Sequence, residues 1–360
     1  MPLIRKSTRR PTRTVRAWAI KVTFLVLCAL AAVGCGGSDK GGSSGGGESK
    51  VLVGAGSTLV APLVAQWSND YAKKHGVTIT YGAIGSGGGI AQITARTVDF
   101  GASDAPFSPD QADACNGCLQ VPWALAATLV SYHVNGAPAK LKLSGPVLAD
   151  IYLGKITTWN DPKITALNPG ANLPPTRIQP VFRSDSSGDT YAFSDFLAKA
   201  SSTWKAQKGV STQVNFTSGT GGKGNDGVAA IVARTDGALG YLAIFYVFAN
   251  NLEYALIRNE AGQFPVPGPT SITAAANAVK SIPADNAISL TNPPASAPGA
   301  YPISTFTYAL VPESSGKATT LRDFLTYAIG PGQKFGAKLQ FAPLPARVVG
   351  AGRKTIAKIK

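Results

Sequence analysis

The chain has 360 residues, of which 44% are hydrophobic and 15% are charged, and its formal net charge is +15. A chain of this length is too long for a single hydrophobic core of ordinary size, so we expect two domains. The apolar content excludes a chain that stays disordered. The basic residues form no stripe interleaved with aromatics, which argues against a nucleic-acid-binding protein.

Residues 1–34 have the pattern of a lipoprotein signal peptide. Basic residues precede a short apolar run at residues 22–33, which is shorter than the ~20 residues that a spanning helix needs. Small residues stand directly before Cys35, so we expect cleavage there and lipid on the Cys35 thiol; plain secretion is the alternative. The Arg9–Arg10 pair suggests twin-arginine export, but the residues after it fit that pattern poorly and favour the general secretory route.

Much of the positive charge belongs to this segment. Its removal takes away seven basic residues and no acidic ones, which lowers the net charge from +15 to +8. Residues 35–50 then hold the lipidated cysteine and a Gly/Ser tether, which we expect to be flexible and to keep the folded part off the membrane.

Cys115 and Cys118 are separated by only two residues. In the oxidising compartment that export implies, a small loop disulfide is the expected state, and a redox centre is the alternative. A structural zinc site would need four ligands, and the sequence has no second cysteine pair. We therefore expect no metal.

Alternation of strand and helix patterns predicts an α/β protein with a parallel sheet and helical crossovers. In chain order, the pattern first predicts a strand at 51–53 and a helix that begins near residue 60 and stops at Gly76. The following predicted elements are a strand at 77–81, a turn at 82–89, a helix at 90–97, a strand at 129–134, a helix at 147–153, a strand at 178–182, a helix at 191–200, a strand at 240–248, a surface connection at 265–298, a strand at 301–311 and a helix at 319–329.

Three turns between a predicted strand and a predicted helix combine Ser or Thr with Gly. Such a turn directs backbone N–H groups and a hydroxyl to the space before the helix, where the helix dipole favours an anion. Each turn alone is typical of an ordinary N-cap, whereas three together predict a shared oxyanion pocket. The three turns are Gly56–Thr58, Gly85–Gly88 and Ser187–Thr190.

Nucleotide-binding and hydrolase sites lack the residues that they need. The glycine-rich turns do not have the spacing of a dinucleotide-binding fingerprint, and Gly222–Lys223 lacks the flanking residues of a P-loop. His75 and His133 are the only histidines in the sequence, and no G-x-S-x-G elbow stands between a predicted strand and a predicted helix. The sequence therefore indicates binding and no catalytic residues.

As a set, six motifs resemble the series found in the PstS family, the phosphate-binding proteins of phosphate ABC transporters. They keep that family's order and spacing from about residue 51 to 350. The resemblance implies a two-lobed α/β fold of the type II periplasmic-binding-protein class, with the ligand cleft at the hinge. We expect lobe I at residues 51–134 plus 302–360 and lobe II at 135–301. The six motifs lie at residues 54–58, 84–88, 98–106, 151–156, 183–188 and 221–227.

The same resemblance implies a phosphate site built from both lobes. The first lobe would supply hydroxyl and backbone donors and one carboxylate that accepts a hydrogen bond from the ligand. The second lobe would supply an arginine, a neighbouring aspartate that orients it, and the opposite wall. The implied ligand-binding residues are Thr58, Leu59, Ser86, Asp104, Arg183, Ser187, Gly188 and Asp189, supported by Ser57 and Asp185.

The chemistry of these side chains supports those roles. A carboxylate such as Asp104 repels an anion unless the anion can donate a proton, which favours phosphate over fully ionised sulfate. The planar fork of Arg183 suits two phosphate oxygens. Many family members have Thr at the position of Asp189 and an aromatic at that of Leu59. We therefore expect Asp189 to point away from the ligand or to join Arg183.

The sequence as a whole predicts a lipid-anchored monomer on the outer face of the cytoplasmic membrane. It would capture inorganic phosphate for the permease subunits of an ABC importer, with no cofactor and no nucleic acid. The alternatives are a binder of another tetrahedral oxyanion such as arsenate or sulfate, a phosphatase on the same fold, and an adhesion protein. Lys223 and Asn225 are expected in loop structure or transporter docking.

Overall fold

The computed structural model describes residues 50–360. The predicted signal peptide at 1–34, Cys35 and the tether up to residue 49 lie outside the described residues. Within residues 50–360, no helix combines the length and the apolar character that crossing a membrane requires.

The described part contains one large sheet and one short two-stranded sheet. Its strands are β1 (Val51–Gly56), β2 (Thr78–Ala83), β3 (Phe100–Ser103), β4 (Cys118–His133), β5 (Lys142–Leu143), β6 (Gln179–Arg183), β7 (Thr220–Gly222), β8 (Ala238–Ala243), β9 (Glu253–Tyr254), β10 (Leu256–Ile257) and β11 (Ser304–Pro312).

Helices connect most of these strands. They are α1 (Ala61–His75), α2 (Ser86–Thr94), α3 (Pro109–Cys115), α4 (Gly145–Tyr152), α5 (Pro162–Thr165), α6 (Gly188–Ala200), α7 (Ser202–Gln207), α8 (Gly224–Arg234), α9 (Ile244–Ala249), α10 (Pro269–Asn277), α11 (Ala318–Ala328) and α12 (Ala346–Ile356), with 3-10 helices at Pro331–Phe335 and Ala337–Leu339.

Strand β4 runs through both halves of the large sheet, whose order is β2-β1-β3-β11-β4-β8-β6-β7, with β9 also on β4. Residues Cys118–Ala127 pair antiparallel with β11, and Thr128–His133 pair antiparallel with β8. We call β1, β2, β3, β11 and Cys118–Ala127 the first half-sheet, and Thr128–His133 with β6, β7, β8 and β9 the second half-sheet. The pairing partner changes between residues 127 and 128, earlier in the chain than the predicted lobe boundary at 134.

Each half-sheet has its own aromatic cluster. In the first, Trp67 on α1 packs against Trp123 on β4 with ring centroids 5.2 Å apart, and Phe100 meets Trp123 edge-on at 5.8 Å. In the second, Phe193 on α6 stacks on Tyr241 of β8 at 4.4 Å. Such pairs contribute about 0.5–1.5 kcal/mol each beyond the area they bury. Each half-sheet is therefore stabilised by aromatic packing of its own.

The predicted α/β character and the alternation of strand and helix are confirmed. Helix α1 shows the expected pattern: its apolar face is buried, and Gly76 ends it in the left-handed conformation at φ 66°. The structure also joins Cys115 and Cys118 in the expected disulfide.

Three sequence predictions are wrong in their detail. The predicted strand at 240–248 is strand β8 followed at Ile244 by helix α9, and the turn predicted at 82–89 already contains the first turn of α2. The surface connection predicted at 265–298 contains helix α10. A short apolar run does not distinguish a strand from a buried helix, which explains the error at Ile244.

Candidate anion-binding site

The three Ser/Gly turns lie where strands end and helices begin. Strands β2 and β3 both run parallel to β1, so the turns that follow them meet at one edge of the first half-sheet. These turns carry Ser57 and Thr58 after β1, Ser86 after β2 and Asp104 after β3. The turn after β6 brings the start of α6 to the same place from the second half-sheet.

Two hydroxyls hold the Asp104 carboxylate on the side of the first half-sheet. Ser57 Oγ donates to it, with distances of 2.6 Å to Oδ1 and 2.7 Å to Oδ2. Ser86 Oγ lies 3.3 Å from Oδ2 and accepts the backbone N–H of Asp104 at 3.1 Å. Asp104 is only 2% exposed, so its charge is stabilised by these donors and not by water.

Leu59 takes part only through its backbone. Its N–H donates to Ser57 Oγ at 3.0 Å, and its side chain is fully buried in the core. The missing aromatic at this position therefore removes no hydrogen-bond donor.

Arg183 is the centre of the side that belongs to the second half-sheet. Its Nε and Nη2 donate to the two carboxylate oxygens of Asp185 at 2.8 and 2.5 Å, a bidentate pair. Its Nη1 donates to Asp189 Oδ2 at 3.0 Å. The Arg183 side chain is 1% exposed, and the Asp189 side chain is 0% exposed. Asp189 thus joins Arg183, which is one of the two arrangements expected for it.

Asn225 joins the two sides, contrary to its predicted place in a loop or docking surface. It lies in the first turn of α8 and is fully buried. Its Nδ2 donates to Thr58 Oγ1 at 2.8 Å and to Asp189 Oδ2 at 2.9 Å, while its Oδ1 accepts the Ala243 N–H at 2.8 Å. Its neighbour Lys223 is exposed. The clue in the sequence was that Asn225 belongs to the same motif series as the other site residues.

Thr128 is a second site residue that the sequence interpretation missed. It is fully buried at the point where β4 changes partner, and its hydroxyl donates to Asp189 Oδ1 at 2.7 Å. Its position inside a continuous apolar strand gave no signal of this role.

Backbone groups of α6 complete the contact between the sides. Ser187 caps α6 by accepting the Asp189 N–H at 3.1 Å, and the Gly188 N–H donates across to Ser86 Oγ at 3.0 Å. A side chain at Gly188 would place its Cβ 2.3 Å from Asp104 Cβ, so glycine permits the approach. The structure therefore brings all ten residues predicted for the site, supporting ones included, into one region.

Burial sets the protonation of the carboxyl groups. It raises the pKa of Asp104 to about 7, assisted by the charge of Asp189 and opposed by the Ser57 hydroxyl. Burial likewise raises the pKa of Asp189 despite the nearby Arg183 guanidinium. For Asp185, burial is outweighed by the hydrogen bonds from Arg183, and its pKa is lowered.

This arrangement suits an oxyanion that carries a proton. Hydroxyls, helix-start N–H groups and a guanidinium converge as donors, and Asp104 provides a proton acceptor among them. Within residues 50–360, no group of three or more His, Cys, Asp or Glu side chains is placed to hold a metal ion.

The chain matches known proteins over most of its length. Residues 41–331 match the family model described as a PBP superfamily domain. The phosphate-binding protein PstS of Xylella fastidiosa strain Temecula1 is 40% identical over 347 residues, covering 91% of this chain and 94% of that protein. The PstS of Pasteurella multocida is 38% identical and covers 84% of this chain and 88% of its own.

Solved structures share the fold at lower identity. A phosphate-binding protein from Stenotrophomonas maltophilia superposes with a TM-score of 0.64 at 21% identity, covering 84% of this chain and 93% of its own. A Clostridium perfringens transporter substrate-binding protein, solved with bound phosphate, gives 0.60 at 19% identity, covering 82% of this chain and 100% of its own. By sequence and fold together, the chain belongs to the PstS family of phosphate-binding proteins within the PBP superfamily.

Proposed function

We propose that this protein captures inorganic phosphate outside the cytoplasmic membrane and delivers it to an ABC importer. The observation that carries the proposal is the buried Arg183, placed between two half-sheets and beside a carboxylate that accepts protons. Its relatives are named phosphate-binding proteins, which supports binding and not catalysis as the activity of this chain.

Arg183 keeps donors for a ligand. A guanidinium has five N–H groups, and three of those of Arg183 donate to Asp185 and Asp189. Two N–H groups, one on Nη1 and one on Nη2, remain for two oxygens of phosphate. Asp185, bonded to Arg183 on its other edge, fixes the plane in which these donors lie.

Phosphate would bind between Arg183 and the hydroxyls of Ser57, Thr58 and Ser86. The O–H group of the phosphate would donate a hydrogen bond to Asp104. In the structure the Ser57 and Ser86 hydroxyls donate to Asp104, so the ligand would share donors that are already arranged for an anion. Sulfate, which has no proton at neutral pH, would face the Asp104 carboxylate unpaired.

Closure over the ligand would use contacts that already cross between the sides. The Gly188 N–H donates to Ser86 Oγ, and Tyr246 Oη donates to the Thr58 carbonyl at 2.9 Å. A ligand that bonds to both sides at once favours the closed over the open arrangement. We propose that the two lobes defined from the sequence move relative to each other, and that β4 is one of the connections between them.

Export and attachment complete the proposal. The signal at residues 1–34 would direct export. Lipid on Cys35 would hold the monomeric protein at the outer face of the cytoplasmic membrane, beside the permease subunits. The tether at 35–50 would let the folded part reach them.

Calorimetric titration of the mature protein, purified in detergent and stripped of bound ligand, tests this function. We expect one-to-one phosphate binding at pH 7 to 8, with no sulfate heat and no phosphatase activity. A folded, stripped protein without phosphate heat would refute the proposal, and hydrolysis of phosphate esters would favour the phosphatase alternative. Mass spectrometry of the membrane-extracted protein separately tests for lipid on Cys35.

A further inference from the structure

The site contains more negative than positive charge. The carboxyl groups of Asp104, Asp185 and Asp189 lie around a single guanidinium, that of Arg183, and among the described residues no second cation bonds to this cluster. When all three carboxyl groups are ionised, the cluster has a formal charge of −2 before any anion arrives.

The other titratable groups that face the cluster do not offset this charge. From β2, β8 and α9, Tyr81, Tyr241 and Tyr246 face it, and burial raises the pKa of each phenol, so all three stay neutral at physiological pH. On α8, the exposed Asp226 helps to raise the pKa of Tyr246, and the Lys223 side chain before that helix is also exposed. The remaining contacts to Asp104 and Asp189 come from uncharged groups, namely Ser57 after β1, Asn225 on α8, and groups of β4, β11, α2 and α6.

Asp189 cannot easily leave the cluster. Donors from three elements hold its carboxylate: Thr128 on β4, Asn225 on α8 and Arg183 on β6. Turning it toward solvent would break all three bonds and leave three buried donors unsatisfied. Its charge therefore stays beside Arg183 when a ligand binds.

We infer that Asp189 makes phosphate binding proton-coupled, so that the protein takes up a proton from solution when it binds phosphate under alkaline conditions. The inference rests on the proposed function. Asp189 cancels part of the attraction that Arg183 would otherwise exert on a dianion, because it bonds to the same guanidinium. The complex is stabilised when one more proton enters the site, either on a phosphate oxygen or on a carboxyl group.

Asp104 is the natural place for that proton to be shared. Its carboxylate faces the proposed ligand position, and its pKa of about 7 lies near that of the second ionisation of inorganic phosphate. A phosphate dianion arriving beside it raises the proton affinity of both partners. Only O–H bonds change: the proton comes from solvent, and when it moves between two oxygens one O–H bond breaks and another forms.

Titration of the mature protein with inorganic phosphate at pH 8.5, in buffers of different ionisation enthalpy, counts the protons. We expect the apparent binding enthalpy to change linearly with the ionisation enthalpy of the buffer. The slope should correspond to the uptake of nearly one proton per phosphate bound. The Kd should rise up to about tenfold per pH unit between pH 7.5 and 9.5, as one linked proton requires.

Asp189→Asn should abolish most of this uptake and tighten phosphate binding at pH 8.5 by about tenfold. The amide oxygen can face Arg183 and Asn225, while the Thr128 hydroxyl turns to accept from the amide nitrogen. Asp110→Asn removes an exposed carboxylate at the start of α3 and should leave the proton count unchanged. Asp189→Thr serves if Asp189→Asn does not fold.

The outcomes separate this inference from the proposed function. Absence of phosphate binding by the unaltered protein refutes both. Tight binding without proton uptake, or equal uptake by the unaltered protein and a folded Asp189 variant, refutes the inference and leaves phosphate capture intact.

Discussion

The two sides of the site handle charge in different ways. On the first half-sheet, uncharged hydroxyls of Ser57 and Ser86 surround one carboxylate, Asp104, whose pKa burial raises to about 7. On the second, a full positive charge on Arg183 is bonded to two carboxylates. The first side is therefore sensitive to whether a proton is present, and the second to the geometry of oxygen atoms.

This difference indicates how one site obtains both strength and selectivity. A buried cation without partners would bind any oxyanion and would be costly to bury. Asp185 and Asp189 reduce the charge of Arg183 while fixing its orientation, so discrimination is left to Asp104.

Removal of Arg183 should have the largest effect. Arg183→Ala deletes two ligand donors and leaves Asp185 and Asp189 buried without their partner. We expect phosphate affinity to fall by about a hundredfold or more, since each charge-assisted bond contributes about 1.5–3 kcal/mol. Stability should fall by about 3–5 kcal/mol. Calorimetry and chemical unfolding measure the two effects.

Arg177→Ala is the control for this change, because Arg177 is an exposed arginine that lies just before β6. It should bind phosphate normally. Equal loss in both variants would mean that general positive charge, and not the Arg183 fork, attracts the ligand.

Replacement of Asp104 should change the selectivity between phosphate and sulfate more than the affinity for phosphate. In Asp104→Asn the amide can donate to an anion that has no proton, so sulfate should become a measurable ligand. Phosphate affinity should fall by about tenfold with the loss of one strong hydrogen bond. Competition titration with both anions at pH 8 tests this, with Asp110→Asn as the control. Continued rejection of sulfate would assign selectivity to other residues.

Asn225→Ala should weaken the contact between the two sides of the site and cause a smaller loss of phosphate affinity. The change removes the bonds to Thr58 and Asp189 and leaves the Ala243 N–H without its acceptor. We expect phosphate affinity to fall by about five- to tenfold, because a neutral hydrogen bond contributes about 1 kcal/mol and Asp189 becomes less well held. Asn135→Ala, at an exposed position, is the matched control. Unchanged affinity would confine Asn225 to a structural role in α8.

The last expected effect concerns the stability of the phosphate-free protein, and not its affinity, as the pH changes. The folded pKa of Asp104 is about 7, against an ordinary value of 3.8, so the folded protein binds a proton that the unfolded chain has released. The free energy of unfolding should therefore fall as pH rises from 4 to 7 and level off above 7. Thermal unfolding of phosphate-free protein measures this trend, and Asp104→Asn should flatten it. An unfolding temperature that rises over this range in the unaltered protein, but not in Asp104→Asn, would contradict the assigned shift.

Local patterns predicted the elements whose burial is one-sided. Helix α1 has a regular apolar face and a glycine stop, and both its existence and its end were predictable. The full extent of β4 was not, because its residues from 120 to 132 are all buried and a continuous apolar run shows no period. The same ambiguity hid the change from β8 to α9.

The residues of the site were predictable where motifs contained them, but the hydrogen bonds between those residues were not. The motif series named Arg183, Asp104 and the Ser/Gly turns. Thr128 and Asn225 could not be paired with Asp189 from spacing alone, because they lie 61 and 36 residues from it along the chain. Contacts between such distant residues depend on how the half-sheets meet, which no local pattern contains.

The sharing of β4 has a consequence for how the protein denatures. Neither half-sheet can lose this strand without depriving the other of a central neighbour, since its amides pair with β11 along one stretch and with β8 along the next. We therefore expect the halves to melt together in one cooperative transition. The backbone amides of β4 should exchange their hydrogens for deuterium last, at the rate of global unfolding.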